Sequence, residues 1–243
     1  MMHLHSHEKV LLVTGRHSSY NQRKESCMTL QEAIISRHSV RKYQDRPISN
    51  IARFILEECI AKCNAESGLH IQLVTDERKA LGLMFKGVSN YIVLAGNDSE
   101  DLDELCGYYG ERIVLFVQQL GLNTCWAGFS AANIIRAFRL EKGERYCICI
   151  AVGYGENQGS PRSSKYFDDV AKVTGDVPSW FRSGVEAALL APTARNQQAF
   201  RFELLEDEKV RAVSNWAPFS KVDLGIVKYH FEIGSGKDSS VWA

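Results

Sequence analysis

The chain has 243 residues, of which 45% are hydrophobic and 24% charged, and its 29 Lys and Arg balance 29 Asp and Glu. The balance lacks the basic excess of a nucleic-acid-binding protein, and the composition is typical of a packed globular domain rather than a disordered chain. The longest apolar runs, such as residues 147–152, fall far short of the roughly 18 residues of a membrane-spanning helix. We therefore expect neither nucleic acid nor membrane as a partner.

The seven cysteines show none of the regular spacing of a secreted disulfide framework. They are expected to be buried free thiols in a reducing compartment, which predicts a cytoplasmic protein. Cys147 and Cys149 alternate along a predicted strand and are expected to face the same side. Without a nearby His partner they do not predict a metal site, and no metal is expected.

The N-terminal residues 1–27 differ in composition from the rest of the chain. They begin with an HLHSH run, followed by a short apolar patch and then polar residues, without the pattern of a secretory signal. We expect a disordered N-terminal extension. Thr29 and Glu32 have the spacing of a capping box, which predicts a helix starting immediately after Thr29.

From residue 30 onward the hydrophobic periodicity predicts alternating helices and strands. In chain order these are helices at 30–36 and 50–62, strands at 71–75 and 91–95, a helix at 102–120, a strand at 124–126, a helix at 131–138, a strand at 146–152, a helix at 180–190, strands at 201–206 and 210–213, and a helix at 222–233. The continuous apolar run at 146–152 indicates a central strand covered on both faces. The GYGENQG stretch that follows imitates a dinucleotide fingerprint, but no helical pattern follows it, so a flexible loop is favoured.

Two parts of the chain show a similar sequence pattern, which we call the internal echo. Residues 56–61 and 70–78 match residues 185–190 and 201–209 in helix and strand pattern, while the connecting loop is two residues longer in the second copy. The echo predicts an internal pseudo-repeat, with units at about 28–152 and 176–243 of one domain spanning 28–243. Coincidence is the alternative, because helix-loop-strand units are common.

Two polar segments are candidates for binding chemistry. In the first, Arg37, Ser39 and Arg41 alternate onto one side if the chain is extended, which predicts an anion pocket; a solvated basic turn is the alternative. The second, APTARNQQ at 191–198, offers a hydroxyl and amides suited to a heteroaromatic ring edge or a ribityl chain, or is an ordinary polar connection. A nucleophilic pair of Cys125 and His230 is a further alternative that no motif supports.

These segments together resemble the FMN-dependent nitroreductase family. RHSVRKYQDRPIS and APTARNQQAFRF are similar to its Arg-x-Ser-x-Arg and Ala-Pro-Ser-x-x-Asn-x-Gln signatures, with Ala199 in place of a proline. GLNTCWAGF resembles the segment leading to the flavin face, and SPRSSKYFDDV the basic stretch after the last core strand, with Tyr166 in place of a proline. The resemblance implies an α+β nitroreductase-like fold with a central mixed sheet flanked by helices.

The order of the motifs is similar to a smaller branch of the family in which one chain carries both halves of a single site. Such a chain would be a monomer that contains a pseudo-dimer, with a homodimer as the alternative. The residues that the resemblance assigns to FMN are Arg37, His38, Ser39, Arg41 and Lys165 at the phosphate, Ala127 and Gly128 at the isoalloxazine, and Thr193, Asn196 and Gln197 at the ring and ribityl chain.

The activity implied by this resemblance is an FMN-dependent NAD(P)H oxidoreductase. Hydride from NADH or NADPH would reduce a small-molecule electron acceptor, such as a nitroaromatic or a quinone, by ping-pong kinetics. No catalytic protein residue is expected, because the flavin carries the redox chemistry. The alternatives are a non-catalytic flavin-binding or sensory module, and a flavin-fragmenting or dehalogenating relative on the same fold.

Overall fold

A computed structural model describes residues 28–76, 84–128 and 137–243. The predicted N-terminal extension and residues 131–136 of the predicted helix at 131–138 lie outside the described residues. No helix within the described ranges is long and apolar enough to cross a membrane.

The described elements follow the predicted order, with additions in the second half of the chain. The helices are α1 (Leu30–Ser36), α2 (Asn50–Ser67), α3 (Leu102–Gln119), α4 (Phe167–Val170), α5 (Ser179–Leu189) and α6 (Ser220–Ser235), and short 3-10 turns lie at Ala194–Asn196 and Ser239–Val241. The strands are β1 (Gln72–Val74), β2 (Asn90–Asn97), β3 (Asn123–Ala127), β4 (Glu144–Gly153), β5 (Ala171–Lys172), β6 (Phe200–Leu204) and β7 (Val210–Ser214).

Local capping sets the ends of the first two helices. The Glu32 carboxylate accepts from the Thr29 backbone at 2.7 Å and the Thr29 hydroxyl accepts from the Glu32 backbone at 3.2 Å, which confirms the capping box. Helix α2 continues five residues beyond its predicted end at 62 and stops at Gly68, which adopts a left-handed φ of 71°. The prediction ended too early because the last turn is mostly polar, while glycine supplies the stop.

The larger sheet has strand order β1-β2-β4-β3 and is antiparallel throughout. Within it Ile150 of β4 pairs with Ile92 of β2 on one side and Trp126 of β3 on the other. Residues 148–153 are all buried. The prediction of a covered central strand at this position is therefore confirmed.

The two cysteines of β4 lie on opposite faces of the sheet, so the prediction that they face the same side is wrong. The register with β2 shifts between Ile148 and Tyr146, which places one extra residue in β4. This β-bulge interrupts the side-chain alternation at Cys147. Cys147 packs against the larger core cluster, while Cys149 is buried in a second cluster beside Tyr146.

A smaller sheet is built from the second half of the chain. Its strand order is β5-β6-β7, with β5 parallel and β7 antiparallel to β6. Helices α3 and α6, one from each half of the chain, pack against each other, and glycines allow their backbones to approach closely: a Cβ on Gly107 would lie 2.0 Å from the Val222 carbonyl oxygen. The predicted α+β fold is confirmed. The mixed strand pairing occurs in the smaller sheet, whereas the larger sheet is antiparallel throughout.

The order helix, strand, strand, helix occurs twice along the chain. It is α2-β1-β2-α3 in the first half and α5-β6-β7-α6 in the second, and each strand pair is antiparallel. This is the arrangement that the predicted pseudo-repeat requires. The repeat itself stays a prediction.

Candidate functional site

A cleft of about 390 Å³ separates the segment after α1 from the loop after α5. Its volume falls within the range of about 300–1,000 Å³ that is typical of small-molecule sites. The lining residues are Ser39, Arg41 and Lys42 after α1, Asn157, Gly159, Ser160 and Arg162 after β4, and Pro192, Thr193, Arg195 and Asn196 after α5. The cleft therefore brings together the two segments that the sequence singled out.

The first wall of the cleft is an extended segment held against β3. Ser39 forms a parallel bridge with Thr124, and the Val40 backbone donates to the Thr124 carbonyl at 3.0 Å. Val40 is fully buried, whereas Ser39 and Arg41 line the cleft. The prediction that Ser39 and Arg41 lie on the same side of this extended segment therefore holds.

Arg37 does not lie on the cleft side with Ser39 and Arg41, because it caps the C-terminus of α1 and its side chain enters the core. The guanidinium is 2% exposed, and its Nε lies 3.8 Å from Oε1 of the fully buried Glu111. Among the described residues, Arg37 Nε and Nη2 have no hydrogen-bond partner. Burial lowers the pKa of Arg37, while the Glu111 charge opposes that shift. Arg37 is not among the residues that line the cleft.

Glu111 also organises the interior beneath the cleft. Its two oxygens contact Trp126 Nε1 and His230 Nε2, each at 2.9 Å. His230 Nδ1 lies 3.1 Å from the Ala187 carbonyl oxygen, so both of its ring nitrogens are engaged. Burial raises the pKa of the Cys125 thiol, which favours its uncharged form. The described structure does not form the alternative Cys125–His230 nucleophilic pair, because the two ring nitrogens of His230 face Ala187 and Glu111 instead.

His38 and Lys165 lie beside the cleft without lining it. The His38 Cβ would be 2.6 Å from a Cβ on Gly159, so only glycine fits there, at a φ of 78°. Burial, followed by the charges of Arg37 and Arg162, lowers the pKa of His38. The Lys165 ammonium donates to the Gln198 carbonyl at 2.8 Å.

The second wall is a tight loop with an unusual backbone. Arg195, Asn196 and Gln198 have φ values of 52°, 56° and 45°. Each such conformation costs a non-glycine residue on the order of 1–3 kcal/mol and persists only where surrounding contacts enforce it. Thr193 Oγ1 accepts from the Gln198 backbone at 3.1 Å, and Asn196 Nδ2 donates to the Ser163 carbonyl at 2.8 Å.

Gln197 is turned away from the cleft, towards the start of α6. Its Nε2 donates to the Pro218 carbonyl at 3.0 Å and to Oδ2 of Asp223 at 2.7 Å. Asp223 also accepts from the Ala194 backbone at 2.9 Å. The predicted ligand residue Gln197 thus holds the loop, and Asp223 is a partner that the sequence did not indicate.

Ala127 and Gly128, at the end of β3, also lie outside the cleft lining. The ring of Phe219 covers Gly128, since a Cβ there would be 2.5 Å from Phe219 Cζ. Phe219 itself has a left-handed φ of 61°. A bulky residue in this conformation is a genuine outlier.

The charge of the cleft is positive. Arg41, Lys42, Arg162 and Arg195 contribute cations, and no acidic side chain occurs among the described residues that line it. Burial, with a contribution from Arg37, lowers the pKa of Arg162 to about 10, which leaves it charged at neutral pH. The arrangement suits an anionic ligand.

Two residues that line the cleft each carry a buried polar atom that has no hydrogen-bond partner among the described residues. Arg162 binds the carbonyl oxygens of Leu190 and Ala191 through Nη2, but among the described residues its Nε has no partner. The Oδ1 atom of Asn196 likewise lacks one there. A charged donor and an amide acceptor are therefore left unsatisfied beside the cleft. Arg162 belongs to the SPRSSKYFDDV stretch that resembles the family's basic segment. The resemblance assigned Lys165 of that stretch, and not Arg162, to the phosphate.

Comparison with known proteins decides the family. Residues 29–235 match the family described as "Putative TM nitroreductase". The chain belongs to this nitroreductase family. The resemblance to the nitroreductase family that four sequence motifs indicated is therefore confirmed. Membership of this family indicates an oxidoreductase fold. No curated protein matches it.

One solved structure shows the same fold over most of the chain, and two others are similar over a smaller part of it. A "putative nitroreductase" from Thermotoga maritima MSB8 is 24% identical, with a TM-score of 0.60 over 90% of this chain and 88% of its own. A Desulfovibrio desulfuricans "putative nitroreductase in complex with fmn" is 19% identical, with a TM-score of 0.48 over 58% and 93%. A Bacteroides thetaiotaomicron "Putative NADH dehydrogenase/NAD(P)H nitroreductase" is 18% identical, with a TM-score of 0.47 over 58% of this chain and 95% of its own.

Proposed function

We propose that this nitroreductase binds FMN in the cleft and transfers electrons from NADH or NADPH to a small organic acceptor, such as a nitroaromatic or a quinone. The observation that carries the proposal is the meeting of the RHSVR and APTARNQQ segments, from opposite ends of the chain, in one cationic cleft. Family membership supports the redox class, and the cationic lining of the cleft supports an anionic ligand such as FMN.

The residues of the cleft fit the two chemically distinct ends of FMN. A phosphate is matched by the hydroxyl of Ser39 and by the guanidinium groups of Arg41 and Arg162, which form charge-assisted hydrogen bonds. The unpartnered Nε of Arg162 supplies one donor. At the other wall, Asn196 Oδ1 can accept from a ring imide or a ribityl hydroxyl, and Thr193 can donate or accept.

When bound, FMN would supply the redox chemistry by accepting a hydride and passing it on. The protein's part is to bind and orient. Arg41 and Arg162 hold the anionic end, and Asn196 and Thr193 fix the opposite wall. The Phe219 ring lies against the Gly128 backbone, which the resemblance assigns to the isoalloxazine face. No general acid or base of the chain is required.

Three measurements test this function. The purified protein should show the visible absorption of an oxidised flavin, and mass spectrometry of the released cofactor should identify FMN. Anaerobic NADH or NADPH should bleach that absorption. Failure of the flavin-free protein to bind added FMN would overturn the proposal. Binding without bleaching by either nucleotide would favour the non-catalytic flavin-binding alternative.

The phosphate assignment is tested by comparing FMN with riboflavin. Arg41→Ala should weaken FMN binding by about ten- to hundredfold, the loss expected for one charge-assisted contact, and leave riboflavin binding unchanged. Arg201→Ala, which removes an exposed arginine on β6, is the matched control and should affect neither ligand. Equal losses for both ligands in Arg41→Ala would contradict the assignment.

We propose further that one chain contains the complete site and acts as a monomer. Both walls of the cleft come from a single chain, and the twofold helix-strand-strand-helix order supplies an internal partner. A homodimer is the alternative.

A further inference from the structure

Asp223 lies behind the second wall of the cleft, in the first turn of α6, and is 5% exposed. Its Oδ1 and Oδ2 lie 2.9 and 3.2 Å from the Ala194 backbone nitrogen, and Oδ2 lies 2.7 Å from Gln197 Nε2. One carboxylate therefore binds the loop at two points, on either side of the left-handed residues Arg195 and Asn196.

The helix that carries Asp223 is a rigid support. The Gly225 Cα lies so close to α3 that a Cβ there would be 2.0 Å from the Glu104 carbonyl oxygen. The Lys228 ammonium pairs with the Glu104 carboxylate, and the Lys221 ammonium donates to the Glu100 carbonyl at 3.2 Å. These contacts fix α6 against α3, so that Asp223 presents a fixed carboxylate to a strained loop.

The hydrogen-bonding pattern gives Gln197 one orientation. Its Nε2 faces two acceptors, Asp223 Oδ2 and the Pro218 carbonyl oxygen at 3.0 Å. If the Gln197 amide were flipped, its oxygen would face these two acceptor oxygens and neither hydrogen bond would form. Burial raises the pKa of Asp223 to about 6, while the bonds from Ala194 and Gln197 lower it, so the carboxylate is ionised above neutral pH.

We infer that Asp223 is a positioning residue for the ligand: its carboxylate, acting through Ala194 and Gln197, holds the loop in the conformation that presents Thr193 and Asn196 to the cleft. The identity of the ligand rests on the proposed function. Because Asp223 acts on the wall that takes the ring and ribityl chain, its loss weakens FMN and riboflavin equally, unlike the loss of Arg41.

The first test uses the ligand-free protein and does not depend on flavin. At pH 7.5, hydrogen exchange of the backbone amides in the 191–198 segment should be about tenfold faster in Asp223→Asn than in the wild type. The reason is that the asparagine side chain has an NH₂ donor in place of one of the two acceptor oxygens of the carboxylate. Asp176→Asn, the same change at an exposed carboxylate before α5, should exchange like the wild type. Unchanged exchange in Asp223→Asn would overturn the inference.

The second test measures FMN and riboflavin affinity in a mutant cycle. Asp223→Asn should weaken both ligands by about tenfold or more, and should add little to the loss already caused by Asn196→Ala. Independent, additive losses would indicate a general structural role and contradict the inference. If Asp223→Asn does not fold, Gln197→Leu at the half-buried loop position takes its place with the same expectations.

The two tests separate the failure of the inference from that of the proposed function. If the wild-type protein binds no flavin, the proposed function fails, and the exchange experiment still decides whether Asp223 holds the loop. If flavin binds but exchange in Asp223→Asn is unchanged, only the inference fails.

Discussion

Glu111 Oε1 lies 2.9 Å from His230 Nε2, and both side chains are fully buried. The other ring nitrogen of His230, Nδ1, lies 3.1 Å from the Ala187 carbonyl oxygen. The same Glu111 oxygen lies 3.8 Å from Nε of Arg37. Glu111 is therefore the carboxylate that compensates a buried guanidinium at the base of the cleft.

Replacing Glu111 with Gln should strongly destabilise the fold. The change preserves shape but leaves the Arg37 charge buried without its carboxylate, and breaking a buried pair in this way costs about 3–5 kcal/mol. Urea denaturation followed by circular dichroism measures the free energy of unfolding. A loss below about 1 kcal/mol would mean that Arg37 is compensated elsewhere.

The matched control is Glu57→Gln in α2. Glu57 pairs with Arg53 at 2.9 Å, but both side chains are nearly half exposed, so water and salt screen their attraction. No resolvable change in the free energy of unfolding is expected there.

Sequence patterns predicted the fold best where the signals are local. The Thr29–Glu32 capping box and the apolar run of β4 each needed only neighbouring residues to be interpreted. The end of α2 was missed because its last turn is mostly polar, and α4 and β5 were missed because elements of four and two residues are too short to show a hydrophobic periodicity. The bulge at Cys147 escaped prediction because pairing with β2 creates it.

For the candidate site, the sequence indicated which segments meet but not how each side chain points. Ser39 and Asn196, which the resemblance assigns to FMN, line the cleft. Arg37 does not, because it caps α1 and turns towards Glu111 on α3, a contact that no local pattern encodes. Asp223 carried no signal at all, since an acidic residue in the first turn of a helix is ordinary.

Phe219 provides a test of backbone strain. Both Phe219→Ala and Phe219→Gly remove the ring from Gly128, but only glycine adopts a φ of 61° without cost. The glycine variant should therefore be the more stable of the two by about 1 kcal/mol. At Lys62, an exposed position within α2, the order should reverse, with alanine more stable by about 1 kcal/mol. The same order at both positions would argue against strain at Phe219.

Asp223 should also make stability depend on pH. Its pKa in the folded protein is raised to about 6 by burial, against about 3.9 in an unfolded chain. Between these values the folded state holds a proton that the unfolded state has released, so the contribution of Asp223 to stability falls as pH rises. Relative to Asp223→Asn, the wild type should lose up to about 3 kcal/mol between pH 4 and pH 7. Parallel urea-denaturation curves for the two proteins across this range would contradict the assignment.

The last prediction concerns whether one chain or two build the site. In this structure Arg41 and Asn196 of the same chain line one cleft, which supports an intramolecular site. We expect that a chain carrying Arg41→Ala and Arg162→Ala, coexpressed with one carrying Thr193→Ala and Asn196→Ala, binds no more flavin than either chain alone. An intersubunit site would regenerate one intact pocket in each mixed dimer, and would restore bound flavin and NAD(P)H oxidation. Wild type coexpressed with either variant is the control for expression, and recovery in the variant mixture would overturn the single-chain proposal.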